Sequence, residues 1–365
     1  MGRTEQTRKY LEERRASWSA DEARRRVLHY GAPDAEYDAI VDDGLGIVER
    51  GARDTLVVHG DDTIPWLQGL VTNDLHDLHD EGSGHRNAFV NTTGRFVGEA
   101  RILHLPQLLM LDLEAGTLNG GLYSHLRQHI IMEDVTLEDR SEATARIGVY
   151  GSQTASLLEK LTSWEHELSS RPPFYGSWSR WKGGDLIAQR VVWSRQPGFE
   201  ISCAVETVVP LLDAIESIHG SLPLVGHEAF EALRIEDGIP RFGVELHDRV
   251  IPLETDFDDA IAYDKGCYLG QEIIARLDTR GIPAKRLRRV VLDGNTTPEP
   301  KTPVYSADGD DKKIGHVESA AFSPRLDAPV ALAFVKRNYN DIENTVRIDE
   351  IHGHLEPLMD LRDLT

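Results

Sequence analysis

The 365-residue chain has few cysteines, few lysines and no long apolar run. Two cysteines cannot form a disulfide framework, and the absence of any C-x-x-C pair excludes a zinc ribbon and a self-contained cysteine-ligated iron–sulfur site. No apolar run approaches the roughly 18 residues that span a bilayer, and the N-terminus has no uncharged apolar stretch of the signal-peptide type. We therefore expect a cytoplasmic protein with no membrane partner.

The charge of the chain is strongly negative. There are 61 acidic against 40 basic residues, which gives a net charge of −21 and argues against a general role in holding DNA. Nine of the basic residues are lysines, and none lies between Lys9 and Lys160. An acidic, lysine-poor composition is typical of adaptation to high salt. The arginine bias of a GC-rich genome explains the lysine shortage equally well.

The pattern of apolar residues predicts an α+β protein. Alternation predicts strands at 54–59, 86–90, 101–105 and 109–113, and helical spacing predicts helices at 64–70 and 121–129. These elements follow one another without a regular βαβ rhythm, which favours α+β over α/β. A second unit begins near residue 145 and ends around residue 223. The stretch after Arg289 is rich in strands and prolines and predicts a small barrel or sandwich.

Residues 1–40 predict a helical extension with a local positive charge. Residues 1–30 carry eight basic and five acidic residues, a net of +3 in an otherwise acidic chain. Residues 19–22 have the pattern of a capping box, and Gly31 and Pro33 are expected to end the helix. We interpret the segment as a helix packed on the body of the protein. A basic arm for an RNA or protein partner is the alternative.

Several common catalytic signatures are missing. The chain has no GxxxxGK[ST], HExxH or GxSxG motif, so simple ATPase, zinc-protease and α/β-hydrolase functions are excluded. His76, His79 and His85 lie among aspartates, as metal ligands would. The glycine-rich residues 82–84 favour a solvated acidic turn instead, and we expect no metal site.

The densest chemical pattern is residues 263–272, Y-D-K-G-C-Y-L-G-Q-E. Its glycines permit a tight turn, and a helix is expected to open at Gln271. Cys267 then lies just outside a helix N-terminus and two residues after Lys265, where positive potential favours the thiolate. Cys267 is therefore a candidate nucleophile, redox group or metal ligand, with a small buried side chain as the alternative. Cys203 alternates with apolar residues on a predicted strand and is interpreted as core.

At this segment the sequence resembles the glycine-cleavage T-protein superfamily, specifically its folate-binding YgfZ-type branch of iron–sulfur protein maturation. The branch is marked by K-G-C-Y-x-G-Q-E, present here at residues 265–272. Four other stretches agree, and the resemblance covers roughly residues 44–340, so that residues 1–40 are expected to have no counterpart in the family. The four stretches are residues 60–74, 91–95, 233–238 and 315–333.

The resemblance implies three domains in a ring around a central channel that binds tetrahydrofolate or a related reduced pterin. The first domain would comprise residues 41–144 and 225–285, the second residues 145–224, and a C-terminal β-barrel residues 286–365. Residues 1–40 would be the extension described above. Aromatic or apolar walls and a few polar groups are what a flat heterocycle requires. The family precedent also implies a monomer.

The resemblance assigns roles to individual residues. T-proteins carry a pair of aspartates, one of them the catalytic acid, where this chain has Gly98 and Glu99. Gln196 replaces a T-protein carboxylate that holds the pterin, and Phe230 replaces an arginine and matches a pocket aromatic of YgfZ-type proteins. Further folate-binding residues implied are Glu200, Asn91, Tyr268 and Gln271.

These differences favour the branch without transferase activity. We expect a factor that supports assembly or repair of [4Fe–4S] clusters in client enzymes or cluster carriers, with Cys267 as a transient thiolate that Lys265 keeps anionic. The alternative is a tetrahydrofolate-dependent aminomethyltransferase that uses Glu99 as its acid. A pure interaction module that kept the fold is a third hypothesis.

Overall fold

The computed structural model describes residues 4–21, 25–51, 53–162, 168–307 and 312–364. The helices there are α1 (Glu5–Glu12), α2 (Pro33–Val41), α3 (Thr63–Gln68), α4 (Tyr123–Arg127), α5 (Thr154–Leu161), α6 (Val208–His219), α7 (His227–Glu236) and α8 (Gln271–Arg280). The strands of the first part are β1 (Ser17–Trp18), β2 (Val27–His29), β3 (Gly46–Glu49), β4 (Asp54–His59), β5 (Gly84–Val90), β6 (Phe96–Leu105), β7 (Leu108–Leu113) and β8 (Thr136–Asp139). They are followed by β9 (Thr144–Tyr150), β10 (Gly176–Trp181), β11 (Gly184–Val191), β12 (Gly198–Ala204) and β13 (Leu224–Val225). The last six are β14 (Lys285–Leu292), β15 (Pro303–Ser306), β16 (Lys313–Ser323), β17 (Ala328–Lys336), β18 (Thr345–Ile348) and β19 (Ile351–Glu356).

The N-terminal segment is only partly helical. Between α1 and α2 the chain forms the antiparallel pair β1–β2, in which the Ser19 hydroxyl accepts a hydrogen bond from the Arg26 N–H. Ser19 therefore closes a turn, and the helix predicted to run from it toward Gly31 is wrong at residues 25–31; residues 22–24 lie outside the described part. Pro33 begins α2 and does not end a helix, because a first-turn residue needs no N–H donor.

A five-stranded antiparallel sheet, in the order β5-β6-β7-β4-β8, follows the predicted strand positions. The apolar face of this sheet packs against α3 and residues 118–127, where Trp66, Leu67, Leu122 and Leu126 are buried. The strand and helix predictions for residues 54–127 are confirmed in position to within a few residues.

A six-stranded sheet has the order β10-β11-β12-β9-β3-β13 and is antiparallel except for the parallel pair β3–β13. β3 was predicted within the first domain, yet it pairs with β9 of the predicted second unit. All four residues of β3 are buried, which is typical of an inner strand covered on both faces. The predicted boundary at residue 144 therefore cuts through this sheet.

The C-terminal part is a closed barrel in the order β14-β17-β16-β15-β18-β19. Its interior is filled by apolar residues such as Val317, Ala333 and Val346. The α+β class and the C-terminal barrel are thus confirmed. None of the described helices is long and apolar enough to cross a bilayer.

Candidate functional site

Seven charged side chains meet between the two sheets. They come from the ends of β3, β4 and β7 and from the middle of β6, β7, β9 and β12, and each is less than a tenth exposed. Arg101 and Asp112 lie directly opposite each other on β6 and β7 and form an ion pair. We call this group the arginine–carboxylate cluster: Arg50, Arg53, Arg101, Arg146, Asp112, Glu114 and Glu200.

Glu200 is the most fully bonded carboxylate of the cluster. Its Oε1 accepts hydrogen bonds from the Tyr150 hydroxyl and the Trp193 Nε1–H, both at 2.9 Å. Its Oε2 accepts one from Arg101 at 2.5 Å, and the Arg50 Nε lies 3.3 Å from Oε1. Burial would raise the pKa of Glu200, but Arg101, Arg50 and Arg53 hold it well below its usual range. Glu200 is therefore an anion held by three hydrogen-bond donors and by the nearby charge of Arg50.

Glu114 is surrounded by four guanidinium groups. Arg53 donates a hydrogen bond to its Oε1. Arg26, Arg50 and Arg241 lie farther away, at 3.5, 3.6 and 3.6 Å from its oxygens. These three distances exceed the usual range of an N–H···O hydrogen bond, so the three guanidinium groups attract Glu114 without being satisfied by it. Despite burial, the arginines hold the pKa of Glu114 far below its ordinary value.

Glu99 differs from the other buried carboxyls. It lies on β6 opposite Ala88 of β5 and is 8% exposed. Across the described part of the chain, no hydrogen-bond donor reaches its carboxyl. Burial raises the pKa of Glu99, and the positive charges of Arg86, Arg53 and Arg101 oppose that rise only in part. The position predicted to hold an acid therefore holds a carboxyl that retains its proton more readily than an exposed glutamate.

Three aromatic rings pack on the cluster. The Phe230 ring lies 4.8 Å from Tyr150 and 5.9 Å from Trp193, measured between ring centroids. The Arg50 guanidinium carbon lies 4.4 Å from the Trp193 centroid and 4.8 Å from that of Phe230. The structure therefore brings the predicted residues Phe230 and Glu200 together through Tyr150, Trp193 and Arg50, which were not predicted. Phe230 is 2% exposed and packs as part of the wall.

Gln196 lies in the partly exposed turn before β12. Its main-chain N–H donates to the Ser194 hydroxyl, whereas its amide makes no hydrogen bond within the described residues. Gln196 therefore lies near the strand that carries Glu200, and its side-chain amide has no hydrogen-bond partner within the described residues.

The motif loop, defined here as residues 264–272, is arranged differently from the prediction. The Lys265 ammonium donates hydrogen bonds to the carbonyl oxygens of Gln68, Val71 and Asn73 at 2.8, 2.9 and 2.7 Å. An ammonium has three hydrogens, so none remains to hydrogen-bond the Cys267 thiolate, and the predicted role of Lys265 in keeping that thiolate anionic stays a prediction that depends on its charge alone. Burial lowers the pKa of Lys265 to about 8. Cys267 itself is exposed, which excludes the buried-hydrophobe alternative, whereas Cys203 is buried as predicted.

Two segments that the sequence analysis noted, the motif loop and the turn at residues 91–95, are in close contact. Gly270 has a φ of 81°, and a side chain there would come within 2.5 Å of the Asn91 carbonyl oxygen. The Asn91 side chain accepts hydrogen bonds from the N–H groups of Thr93 and Arg95 and so shapes the turn between β5 and β6. Asn91 therefore has a structural role here, and Gly270 allows the close approach.

Tyr268 and Gln271 are hydrogen-bonded to each other within the loop. The Gln271 side-chain oxygen lies 3.4 Å from the Tyr268 N–H, which donates to it. Tyr268 is buried, and burial raises the pKa of its hydroxyl to about 12. The hydrogen bonds that the structure gives these two predicted folate-binding residues stay inside the loop.

Several buried arginine N–H groups of the cluster lack an acceptor within the described residues. Among the residues that the structure describes, Arg50 Nε and Nη2, Arg101 Nε and Nη1, and Arg146 Nη1 and Nη2 find no hydrogen-bond partner. Buried N–H groups without acceptors are costly, so the site favours a ligand or ordered water that supplies oxygen acceptors. A metal is not the fitting occupant: within the described residues no group of three or more His, Cys, Asp or Glu side chains has the arrangement of a metal site.

Known proteins resemble this chain over most of its length. Residues 9–265 match the family model "GCVT N-terminal domain", and residues 285–357 match "Glycine cleavage T-protein C-terminal barrel domain". The expectation that residues 1–40 have no counterpart is therefore wrong from residue 9 onward.

Curated relatives include the aminomethyltransferase of Caldanaerobacter subterraneus subsp. tengcongensis, 26% identical over 319 residues, or 86% of this chain and 83% of that protein. The aminomethyltransferase of Chlorobium luteolum is 27% identical over 335 residues, or 90% and 89% of the two chains. The solved structure of the glycine cleavage system aminomethyltransferase T from Bartonella henselae has a TM-score of 0.84 and 17% identity, covering 96% of this chain and 95% of that one. That structural likeness shows the fold.

Proposed function

The chain belongs to the glycine cleavage T-protein family, and from that premise we propose that it is a tetrahydrofolate-dependent transferase of the aminomethyltransferase type. The observation that carries the proposal is Glu99, a buried carboxyl that no described residue hydrogen-bonds and whose pKa burial raises. The names of the curated relatives support it. The proposal reverses the order of the two functions that the sequence suggested.

The residues of the site fit a reduced folate. Its ring carbonyl, ring nitrogens and carboxylates are the acceptors that the unpartnered N–H groups of Arg50, Arg101 and Arg146 lack. The buried rings of Trp193 and Phe230 lie beside Arg50 and supply the apolar surroundings of these donors. When bound, tetrahydrofolate would supply the nitrogen that takes up the one-carbon unit.

Glu99 would supply the proton. A departing amine needs a proton, and a carboxyl in a buried site keeps one at a higher pH than an exposed glutamate does. After the transfer, Glu99 is a carboxylate, and the positive charges of Arg86 and Arg53 stabilise it. Glu200 plays a positioning part, because its charge holds Arg101 and Arg50 beside the aromatic rings.

The experiment is calorimetric titration with tetrahydrofolate and 5,10-methylene-tetrahydrofolate at high ionic strength, followed by a turnover assay with an aminomethylated lipoyl carrier. We expect Glu99→Gln to bind folate as the wild type does and to lose turnover by about 100-fold or more. The control is Glu81→Gln, an exposed glutamate. Undiminished turnover of Glu99→Gln would remove the acid role, and absence of folate binding to the wild type would overturn the proposal.

A second function rests on Cys267. Its thiol is exposed at the surface, while Lys265 and Gly270 on either side of it are fixed by contacts with residues 68–94. A YgfZ-type factor for [4Fe–4S] cluster proteins needs such an accessible thiol. For that function, Cys267→Ala abolishes support of cluster enzymes in a complementation assay while folate binding survives; unchanged client activity removes the thiol from the mechanism.

A further inference from the structure

A narrow cleft opens beside the arginine–carboxylate cluster, between β2, β3 and the start of α7. It is lined by Arg26, Arg50, Arg53, Glu49, Glu114 and His227, with Val48 and Val225 on its apolar side. Its free volume is about 30 Å³. At roughly 10–15 Å³ for each water molecule, this is room for about two waters and far too little for a pterin ring. The cleft has the size of a single small polar group.

The donors around the cleft are incompletely used. The Arg50 side chain is 8% exposed, and its Nη2 has no hydrogen-bond acceptor because Glu114 Oε1 is 3.6 Å away. Arg26 Nη2 and Arg241 Nη1 lie at 3.5 and 3.6 Å from Glu114 Oε2. Three guanidinium groups and two carboxylates line the cleft, so its lining is positive by one charge.

His227 adds a donor at the rim. The Arg26 Nη1 lies 3.3 Å from the His227 Nε2, and because a guanidinium can only donate, this ring nitrogen accepts. A neutral ring that accepts through Nε2 carries its hydrogen on Nδ1. Burial and the nearby arginines lower the pKa of His227 to about 3, so the ring stays neutral at physiological pH. Arg26 and His227 are both partly exposed.

We propose that this cleft binds an anionic oxygen group of the ligand, a carboxylate of the glutamyl type, through Arg26 and Arg50. This inference rests on the proposed function in taking the ligand to be a folate, and it assigns the folate's acidic end, not its ring, to the cleft. A planar guanidinium group can donate two parallel hydrogen bonds to the two oxygens of one carboxylate. Such charge-assisted hydrogen bonds are roughly twice as strong as neutral ones. Glu114 lies 3.5 Å from Arg26 Nη2 and 3.6 Å from Arg50 Nη2, too far to hydrogen-bond them, so both donors can still serve a second anion.

The test compares tetrahydrofolate with tetrahydropteroate, which lacks the glutamyl group, by calorimetry on the full chain. We expect the wild type to bind tetrahydrofolate at least about 10-fold more tightly, and Arg26→Gln to lose that preference. Arg26→Lys should keep part of it, because the charge remains and the paired donors do not. The control is Arg25→Gln, which removes the neighbouring positive charge on the side that faces Trp18.

Inorganic phosphate separates failure of the cleft from failure of the proposed function. If neither folate binds but phosphate binds the wild type and not Arg26→Gln, the cleft is an anion site and the folate function is wrong. Equal binding of both folates to the wild type, with no effect of Arg26→Gln on either folate or phosphate, would overturn the cleft proposal.

Discussion

The motif loop and the arginine–carboxylate cluster satisfy their polar groups in opposite ways. In the loop, Lys265 is bound by three backbone carbonyls and Gly270 lies against the backbone of Asn91. In the cluster, charged side chains bind one another and leave several N–H groups unused. The loop has the most specific sequence motif, yet the contacts of Lys265 and Gly270 stabilise the local backbone conformation. The proposed transferase chemistry lies at the cluster and the neighbouring Glu99, and no local sequence motif marks the cluster.

The largest effect should come from Lys265→Met. The substitution leaves three carbonyl groups without their charged donor, and we expect the free energy of unfolding to fall by about 3–5 kcal/mol in urea titrations. Lys336→Met is the matched control, since Lys336 donates to one carbonyl, that of Lys313, at the exposed surface. Equal effects of the two substitutions would show that the loop lysine has no special structural role and would break the comparison.

A smaller effect of opposite sign is expected at Glu99, whose carboxyl is influenced by Arg53 and Arg101 of the cluster. An acid whose pKa is raised by folding favours the folded state below its ordinary pKa, and this contribution is lost as pH rises through the raised value. Glu99→Gln carries no charge, so it should match the wild type at pH 4 and be more stable by about 1 kcal/mol at pH 8. Urea unfolding of both proteins at the two pH values measures this; a constant difference would mean that Glu99 does not titrate abnormally.

The smallest effect should come from Cys267→Ser. The thiol is exposed, so its replacement should change the free energy of unfolding by less than about 0.5 kcal/mol. Cys203→Ser, which puts a hydroxyl into the core, should cost about 1–2 kcal/mol. Thiol titration of the native wild type should find one rapidly reacting cysteine and a second only after denaturation. Slow reaction of both would place Cys267 inside the fold.

Much of the architecture follows from local patterns. Alternating residues predicted the positions of β4 to β7, which are four strands of the five-stranded sheet, and the prolines and strands after Arg289 predicted a barrel or a sandwich, of which the barrel is observed. The partners of β3 could not be predicted, because a four-residue apolar strand carries no signal for the sheet that it joins. The N-terminal pair β1–β2 was missed because Arg25 and Arg26, which precede β2 in the sequence, fit a helix equally well.

The site was predictable in part. Glu99, Glu200 and Phe230 were found through the family resemblance, and their burial agrees with a site. Arg101 and Asp112 gave a usable signal, since charges inside apolar strands of one hairpin are expected to face each other. Arg50, Arg53 and Arg241 could not be found, because they converge from segments far apart in the chain. The three carbonyl partners of Lys265 could not be predicted, because proximity in sequence does not determine where an ammonium points.

The placement of β3 has a consequence for synthesis of the protein on the ribosome. β3 ends at Glu49, its antiparallel partner β9 begins at Thr144, and its parallel partner β13 begins at Leu224. At roughly 5–20 residues per second, β3 waits on the order of 5–20 s for the first partner and about twice as long for the second. During that interval an apolar strand emerges with both edges open, a state that exposes the nascent chain to chaperones and to aggregation. The first strand of the six-stranded sheet to be made is therefore among the last to be completed.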